Sequence, residues 1–200
     1  MSDLEPEIST KERILQGALR SFGTKGYDGT SLDALARDLG IRKQTILYHF
    51  SSKEELMSSV VDRAGLDLLE TIEEALSDAG QGWDRVEALV RRMFRLALVQ
   101  PELLGLLREV SRPGSTMADR LASRMEPLIR RGRIFLRREM AAGRFREADA
   151  NMVMLSAYST VVGVATEVEV SRALGIEPTL RSMVARRQQL LSFLHSALAV

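Results

Sequence analysis

The chain has no cysteine, which removes disulfides, thiolate metal sites, iron–sulfur clusters and thiol catalysis together and fits a reducing compartment. Its only two histidines, His49 and His195, lie at opposite ends of the sequence. No HExxH, GxSxG, Walker or GxGxxG pattern is present to organise chemistry. Glu167 and Glu169 stand two apart on a helical stretch and diverge, a poor geometry for a carboxylate pair. An enzyme is therefore not expected, nor a cofactor, nor a resident metal. The chain also lacks an excess of charge: 28 Lys and Arg against 27 Asp and Glu give +1, so any surface for nucleic acid has to be local. The opening MSDLEPEIST is acidic and has none of the cationic and apolar make-up of an export signal. The one long weakly polar run, between Asp149 and Glu167, carries Asn151, Ser156, Ser159, Thr160 and Thr166 and falls short of the roughly 20 apolar residues of a bilayer span. It reads as a buried helix, and a cytoplasmic protein with no membrane partner is expected.

What is present is 45% hydrophobic residues in a chain of 200, enough for a sizeable core. The apolar spacing is helical almost everywhere, with no sustained alternation of the strand kind, so the fold class is all-α. Short helices crowd the first fifty residues and long ones follow, which predicts a small N-terminal three-helix module joined by a long helix to a larger C-terminal helical bundle. The divisions expected are a flexible arm over 1–8, the module over 9–55 and the bundle over 56–200. Ser9-x-x-Glu12 is a capping box for a first helix that ends at Gly23 or Gly26. Thr30 or Ser31 caps a second, stopped by Gly40, and a third covers about Lys43 to His49. Ser51 or Ser52 caps the long fourth helix, to about Ala79. Further helices are expected near Asp84–Val99, Pro101–Arg112 and Thr116–Ala142, the last kinked or broken at Pro127, then Ala148–Leu174 and, from the breakers Gly175 and Pro178, a final one to Ala199.

Ala36, Gly40 and Ile46 have the spacing of a helix-turn-helix. The small residue lets the second helix cross closely, the glycine permits a left-handed turn and the branched residue pins the third helix into the core. Arg42, Lys43, Gln44 and Thr45 then fill the exposed first turn of a recognition helix, from which side chains reach base edges or phosphates. From Ser9 to Lys53 the module carries Lys11, Arg13, Arg20, Lys25, Arg37, Arg42, Lys43 and Lys53 against Glu12, Asp28, Asp33 and Asp38, a local +4 that leaves −3 for the rest. The charge balance thus places a nucleic-acid face here.

The stretch GTSLDALARDLGIRKQTILYHFSSKEEL, Gly29 to Leu56, resembles the DNA-binding domain of the TetR family of transcriptional repressors. The likeness lies in Thr30-Ser31, Leu35-Ala36, Gly40-Ile41, the short polar helix, Tyr48-His49-Phe50 and Ser52-Lys53-Glu54-Glu55-Leu56. The first helix, with Ile14-Leu15, Ala18, Phe22 and Gly26-Tyr27, is similar too. Leu47 stands where the family usually has tyrosine, so the aromatic contact is displaced to Tyr48, and Ala34 stands where Asp is common. The resemblance implies that Thr30 or Ser31 holds a phosphate, that Arg42, Lys43, Gln44 and Thr45 probe the major groove of double-stranded DNA, and that Tyr48, His49 and Lys53 bind backbone phosphates. It also implies a homodimer through the two C-terminal helices, a palindromic operator, and release of a repressor when a small-molecule effector binds.

The composition of the last helices agrees with a dimer: Met152, Val153, Leu155, Ala157, Val161, Val162, Val164, Ala165 and Val168 are apolar around more than one core face. Met93, Leu96, Leu107, Met117, Leu121, Met125, Met154 and Tyr158 are the candidate lining of an apolar effector pocket, methionine being suited to a site that adapts. Arg130, Arg131, Arg133, Arg137 and Arg138 form a solvated face, or alternatively a site for an acyl-CoA or another anion. Two other readings of the whole chain remain at this point, an activator of the same family and a helical ligand-binding protein without DNA-binding activity. The polar first turn Arg42 to Thr45 favours DNA binding over the latter.

Overall fold

The computed structural model describes residues 8–77, 79–112, 115–177 and 179–200. Nearly all of the expected N-terminal arm, and Pro178, lie outside the described residues. Those described fold into α1 (Thr10–Lys25), α2 (Leu32–Asp38), α3 (Lys43–His49), α4 (Lys53–Ser77), α5 (Trp83–Val99), α6 (Pro101–Val110), α7 (Ala118–Ala141), α8 (Ala150–Thr166), α9 (Val168–Ala173) and α10 (Leu180–Leu198). Among them the sole extended pairing is an isolated antiparallel bridge between Phe145 and Ala199. The chain forms two compact units, Met1–Leu66 with Glu102–Arg124, and Asp67–Pro101 with Met125–Val200.

In the first unit, α1 buries Ile14, Ala18 and Phe22 completely, the i, i+4, i+8 stripe its sequence predicts. Ser9 accepts the Glu12 N–H at 3.2 Å. The Glu12 carboxylate turns to Gln16 and to Arg63, so among the described residues only half of the expected capping box forms. Gly26, at φ 74°, ends α1. Gly23 serves packing instead: a Cβ there would lie 2.2 Å from the Glu102 carbonyl oxygen, and one on Gly105 would lie 2.1 Å from that of Gly23. Only two glycines let α1 and α6 meet backbone to backbone. Asp62 on α4 holds the start of α7 through Arg120 at 2.9 Å and Arg124 at 3.1 Å. Its hydrogen bond from Arg120 is the main reason its carboxyl lies below the usual range.

In the second unit, α5 buries Val90, Met93, Phe94 and Leu96. Leu136, Phe145, Ala150 and Leu198 form a cluster flanked by Trp83 and Phe135. The buried Glu139 carboxylate accepts two bonds from Arg144, one at 3.0 Å. That pairing offsets its desolvation and lowers its pKa.

Two helix boundaries differ from expectation. α7 does not break at Pro127 but runs through it. The ring is exposed, so the helical bond it removes frees a carbonyl that water can reach. The single helix expected over 148–174 is divided at Glu167, which leaves helical geometry at ψ 78°. Val161, Val162, Gly163 and Val164 weaken helix propensity just before the break. Arg186 of α10 donates to the Val164 carbonyl at 3.1 Å and to Ser171 Oγ at 2.9 Å, binding a backbone group that the break releases.

Candidate nucleic-acid interface

The turn between α2 and α3 is closed by backbone hydrogen bonds alone. Gly40, at φ 66°, donates to the Arg37 carbonyl at 3.1 Å and Ile41 donates to that of Ala36 at 3.0 Å, the double closure of a Schellman motif, which needs a left-handed residue where Gly40 stands. Ala36 and Ile46 are buried, as the motif spacing requires. Ile46 and Phe50 are anchored inward, and within this seven-residue helix Gln44 and Tyr48 are exposed.

Arg42 and Gln44 are exposed, Lys43 and Thr45 half-buried, and Tyr48 is 85% exposed. Tyr48 is the most exposed of the large hydrophobic residues among the described ones. Lys43 reaches back to Asp33 at 2.9 Å, which places its ammonium between α2 and α3 with part of its charge compensated. Arg20, Arg37 and Arg42 have no acidic partner among the described residues, so each adds uncompensated positive charge to the module. The His49 ring packs edge-on to Tyr48 at 5.1 Å.

Thr30 is a correction. It is 3% exposed, its hydroxyl donates to the Gly26 carbonyl at 2.8 Å and lies 3.0 Å from Ser21 Oγ, and its N–H goes to Tyr27. Its polar atoms are used in closing the turn after α1. Ser31, exposed and capping α2 through the Ala34 N–H at 3.1 Å, is the hydroxyl left to meet a phosphate. Ser52 is the cap of α4, accepting from Glu55 at 3.0 Å, while the Glu55 carboxylate returns to the Ser51 N–H at 2.7 Å. Those bonds to Ser51 depress the Glu55 pKa. Lys53 begins α4 with its ammonium 4.1 Å above the Tyr27 ring, a cation–π contact that holds the charge at the module surface.

A part of the chain far along the sequence supports this face. The Tyr27 N–H donates to Glu109 of α6 at 3.0 Å, and Glu109 is also bonded by Arg112 at 3.0 Å. The backbone bond is the first cause of a lowered Glu109 pKa. The turn carrying Tyr27, and through it the seat of Lys53, is thereby tied to α6. Sequence reasoning missed Glu109, Gly23 and Gly105, because nothing local marks a contact across about eighty residues.

Residues 14–60 match the model of the bacterial regulatory proteins of the tetR family. The N-terminal module is thus similar to the domain of that family. Its most similar curated relatives include the helix-turn-helix negative transcriptional regulator IcaR of the biofilm operon icaADBC in Staphylococcus epidermidis, 38% identical over 52 residues. That match covers 26% of this chain and 28% of the relative, so it is a likeness of the DNA-binding module. The matched family and this relative are regulators, not enzymes. Solved structures match far more of the chain. A transcriptional regulator of Saccharomonospora viridis in complex with choline aligns at TM-score 0.77 and 19% identity, over 95% of this chain and 97% of that one. The transcriptional regulator FadR of Bacillus subtilis, in complex with stearoyl-CoA, aligns at 0.75 and 16% identity, over 92% and 97%. At these identities the likeness is one of fold, and it runs through both units of the chain.

The candidate pocket residues are divided between the two units. Leu107, Met117 and Leu121 belong to the first unit, where the Met117 sulfur meets Ser58 Oγ at 3.5 Å. Met93, Leu96, Met125, Met154 and Tyr158 belong to the second, and Tyr158 is 47% exposed. None of the eight lines the cleft of about 390 Å³ formed by α4, α5 and α10 in that unit. The arginine cluster on α7 is engaged in surface pairs, Arg130 with Glu126 at 3.8 Å and Arg131 with Glu73. Among the described residues no group of three or more His, Asp or Glu is placed to hold a metal, and no helix is long and apolar enough to cross a membrane.

Proposed function

We propose that the protein is a sequence-specific DNA-binding transcriptional regulator of the tetR type, acting as a cytoplasmic homodimer that represses from a palindromic operator and is released when a small, largely apolar molecule binds its C-terminal part. The observation that carries the reading is α3 itself: Arg42, Gln44 and Tyr48 project from a short helix fixed underneath by Ile46 and Phe50. Arginine pairs with guanine and glutamine with adenine in the major groove, and lysine and tyrosine with phosphates. Ser31, Arg42, Lys43, Gln44, Thr45, Tyr48, His49 and Lys53 are the DNA contacts of this proposal, with DNA binding assigned to residues 9–55 and ligand binding and dimerisation to 56–200.

Exposed apolar side chains support the homodimer. Met152, Leu155 and Tyr158 of α8 are 58%, 56% and 47% exposed, and Leu180 and Phe193 of α10 are 71% and 60% exposed. Exposed apolar side chains on two such helices are suited to a second copy. Two heads are needed because recognition helices of a dimer meet successive major grooves about 34–36 Å apart or a multiple of that. The choline and stearoyl-CoA complexes of the fold's other members support a small-molecule effector as the releasing signal. An effector needs only a difference in affinity between the DNA-competent and incompetent arrangements.

The test is binding of the purified protein to duplex DNA across a salt series. Affinity should fall steeply with salt, and reversing charge on α3 with Arg42→Glu and Gln44→Glu should abolish binding while the helical circular-dichroism spectrum is kept. A folded charge-reversed protein that binds as well as the parent would refute the assignment of α3.

A further inference from the structure

α10 turns one stripe inward: Met183, Leu190, Leu194 and Leu198 follow helical spacing, and the last three are buried. Arg187 occupies the position on that stripe where the period calls for an apolar residue. Its Nε is buried with no hydrogen-bond partner, and no acid pairs with it among the described residues. Arg187 as a whole is half-buried, and a buried guanidinium N–H left without an acceptor is costly. The neighbouring Arg186 also has a buried Nε without a partner, but its Nη1 donates to the Val164 carbonyl and to Ser171 Oγ.

Arg187 lines the 390 Å³ cleft, which has three further arginines on α5. Two are already neutralised, Arg91 by Glu87 at 2.6 Å and Arg92 by Glu74 at 2.9 Å. Arg95 is exposed and without an acidic partner among the described residues. The remaining walls are apolar: Phe94 at 1% exposure, Leu98, Met183 and Val184. A volume of this size lies in the range of small-molecule sites. It combines two uncompensated cations with a greasy wall.

We propose that this cleft binds an amphiphilic anion, its carboxylate or phosphate head on Arg187 and Arg95 and its hydrocarbon body along Phe94, Leu98 and Val184. Arg187 supplies paired donors of the geometry that carboxylate and phosphate oxygens accept. That such an anion is also the effector rests on the regulator reading above, whereas its binding does not.

Calorimetric titration of the full chain with octanoate, octyl phosphate, octanol and octyltrimethylammonium tests the site. Both anions should bind, the alcohol more weakly and the cation not at all. The stronger of the two anions identifies carboxylate or phosphate as the head. Arg187→Met should weaken the anions at least about ten-fold, the worth of one charge-assisted pair, while leaving the thermal midpoint unchanged or raised, because a buried N–H without a partner is removed. Arg95→Ala should also weaken them, and Arg130→Ala, outside the cleft, should not. Anion binding that survives Arg187→Met in a folded protein, equal binding of octanol and octanoate, or no binding of either anion would each overturn the proposal. A separate titration against bound DNA distinguishes the two readings: anion binding without release of DNA keeps the site and removes only its role as effector site.

Discussion

Two cations of the module make different claims on DNA. Arg42 projects freely from the start of α3, while Lys53 sits on the Tyr27 ring at the start of α4. Arg42→Ala should cost about 1–3 kcal/mol on a selected site and less on random DNA, whereas Lys53→Ala should weaken both alike and flatten the salt slope by about one. Equal losses at Arg42 on both kinds of DNA would make it a backbone contact. Glu109 makes a claim on stability. Its carboxyl is held below the ordinary range chiefly by the Tyr27 N–H, so its contribution is whole above the pKa of the unfolded chain and is lost as pH falls through the lowered folded value. Glu109→Ala should therefore destabilise the protein by ~1–2 kcal/mol at neutral pH, with the gap to the parent closing in acid. Denaturant melts at both conditions measure it, and a gap independent of pH would show that the carboxylate is not the cause.

Helices were legible in the sequence where their determinants are local. Ala36, Gly40 and Ile46 fix the α2–α3 turn within a dozen residues, and the capping serines Ser9, Ser31 and Ser52 stand immediately before their helices. The division at Glu167 was not legible, because the group that binds the freed Val164 carbonyl is Arg186, some twenty residues later. Of the candidate face, the exposure of Arg42, Gln44 and Tyr48 was legible and the burial of Thr30 was not, because its hydroxyl could be assigned inward only once Gly26 and Ser21 were seen around it. The cleft had one overlooked signal, a cation at position 187 of a stripe that otherwise reads Met183, Leu190, Leu194 and Leu198. At this scale the α1–α6 crossing gives a sharp expectation. Gly105→Ala places a methyl against the Gly23 carbonyl, and such overpacking should cost about 2–3 kcal/mol, read as a lowered denaturation midpoint. Gly163→Ala, with no atom within 4 Å of the added Cβ, should be neutral or slightly stabilising. A tolerant Gly105 would mean that the helices can separate at little cost.

For the whole molecule, the account requires two copies of the chain. If α8 and α10 form the interface, Leu155→Asp with Phe193→Asp should give a folded monomer by light scattering, since both side chains are already exposed in the single chain and a charge there harms only association. That monomer should lose most of its affinity for an operator while keeping weak binding to random DNA. The central claim, a dimer that reads sequence through α3, is tested most directly by selecting bound duplexes from a random pool with the purified protein at a fixed salt concentration and sequencing what is enriched. The account predicts a two-fold palindrome whose half-sites lie one or more helical turns apart. A folded, ligand-stripped dimer that enriches no sequence would contradict it.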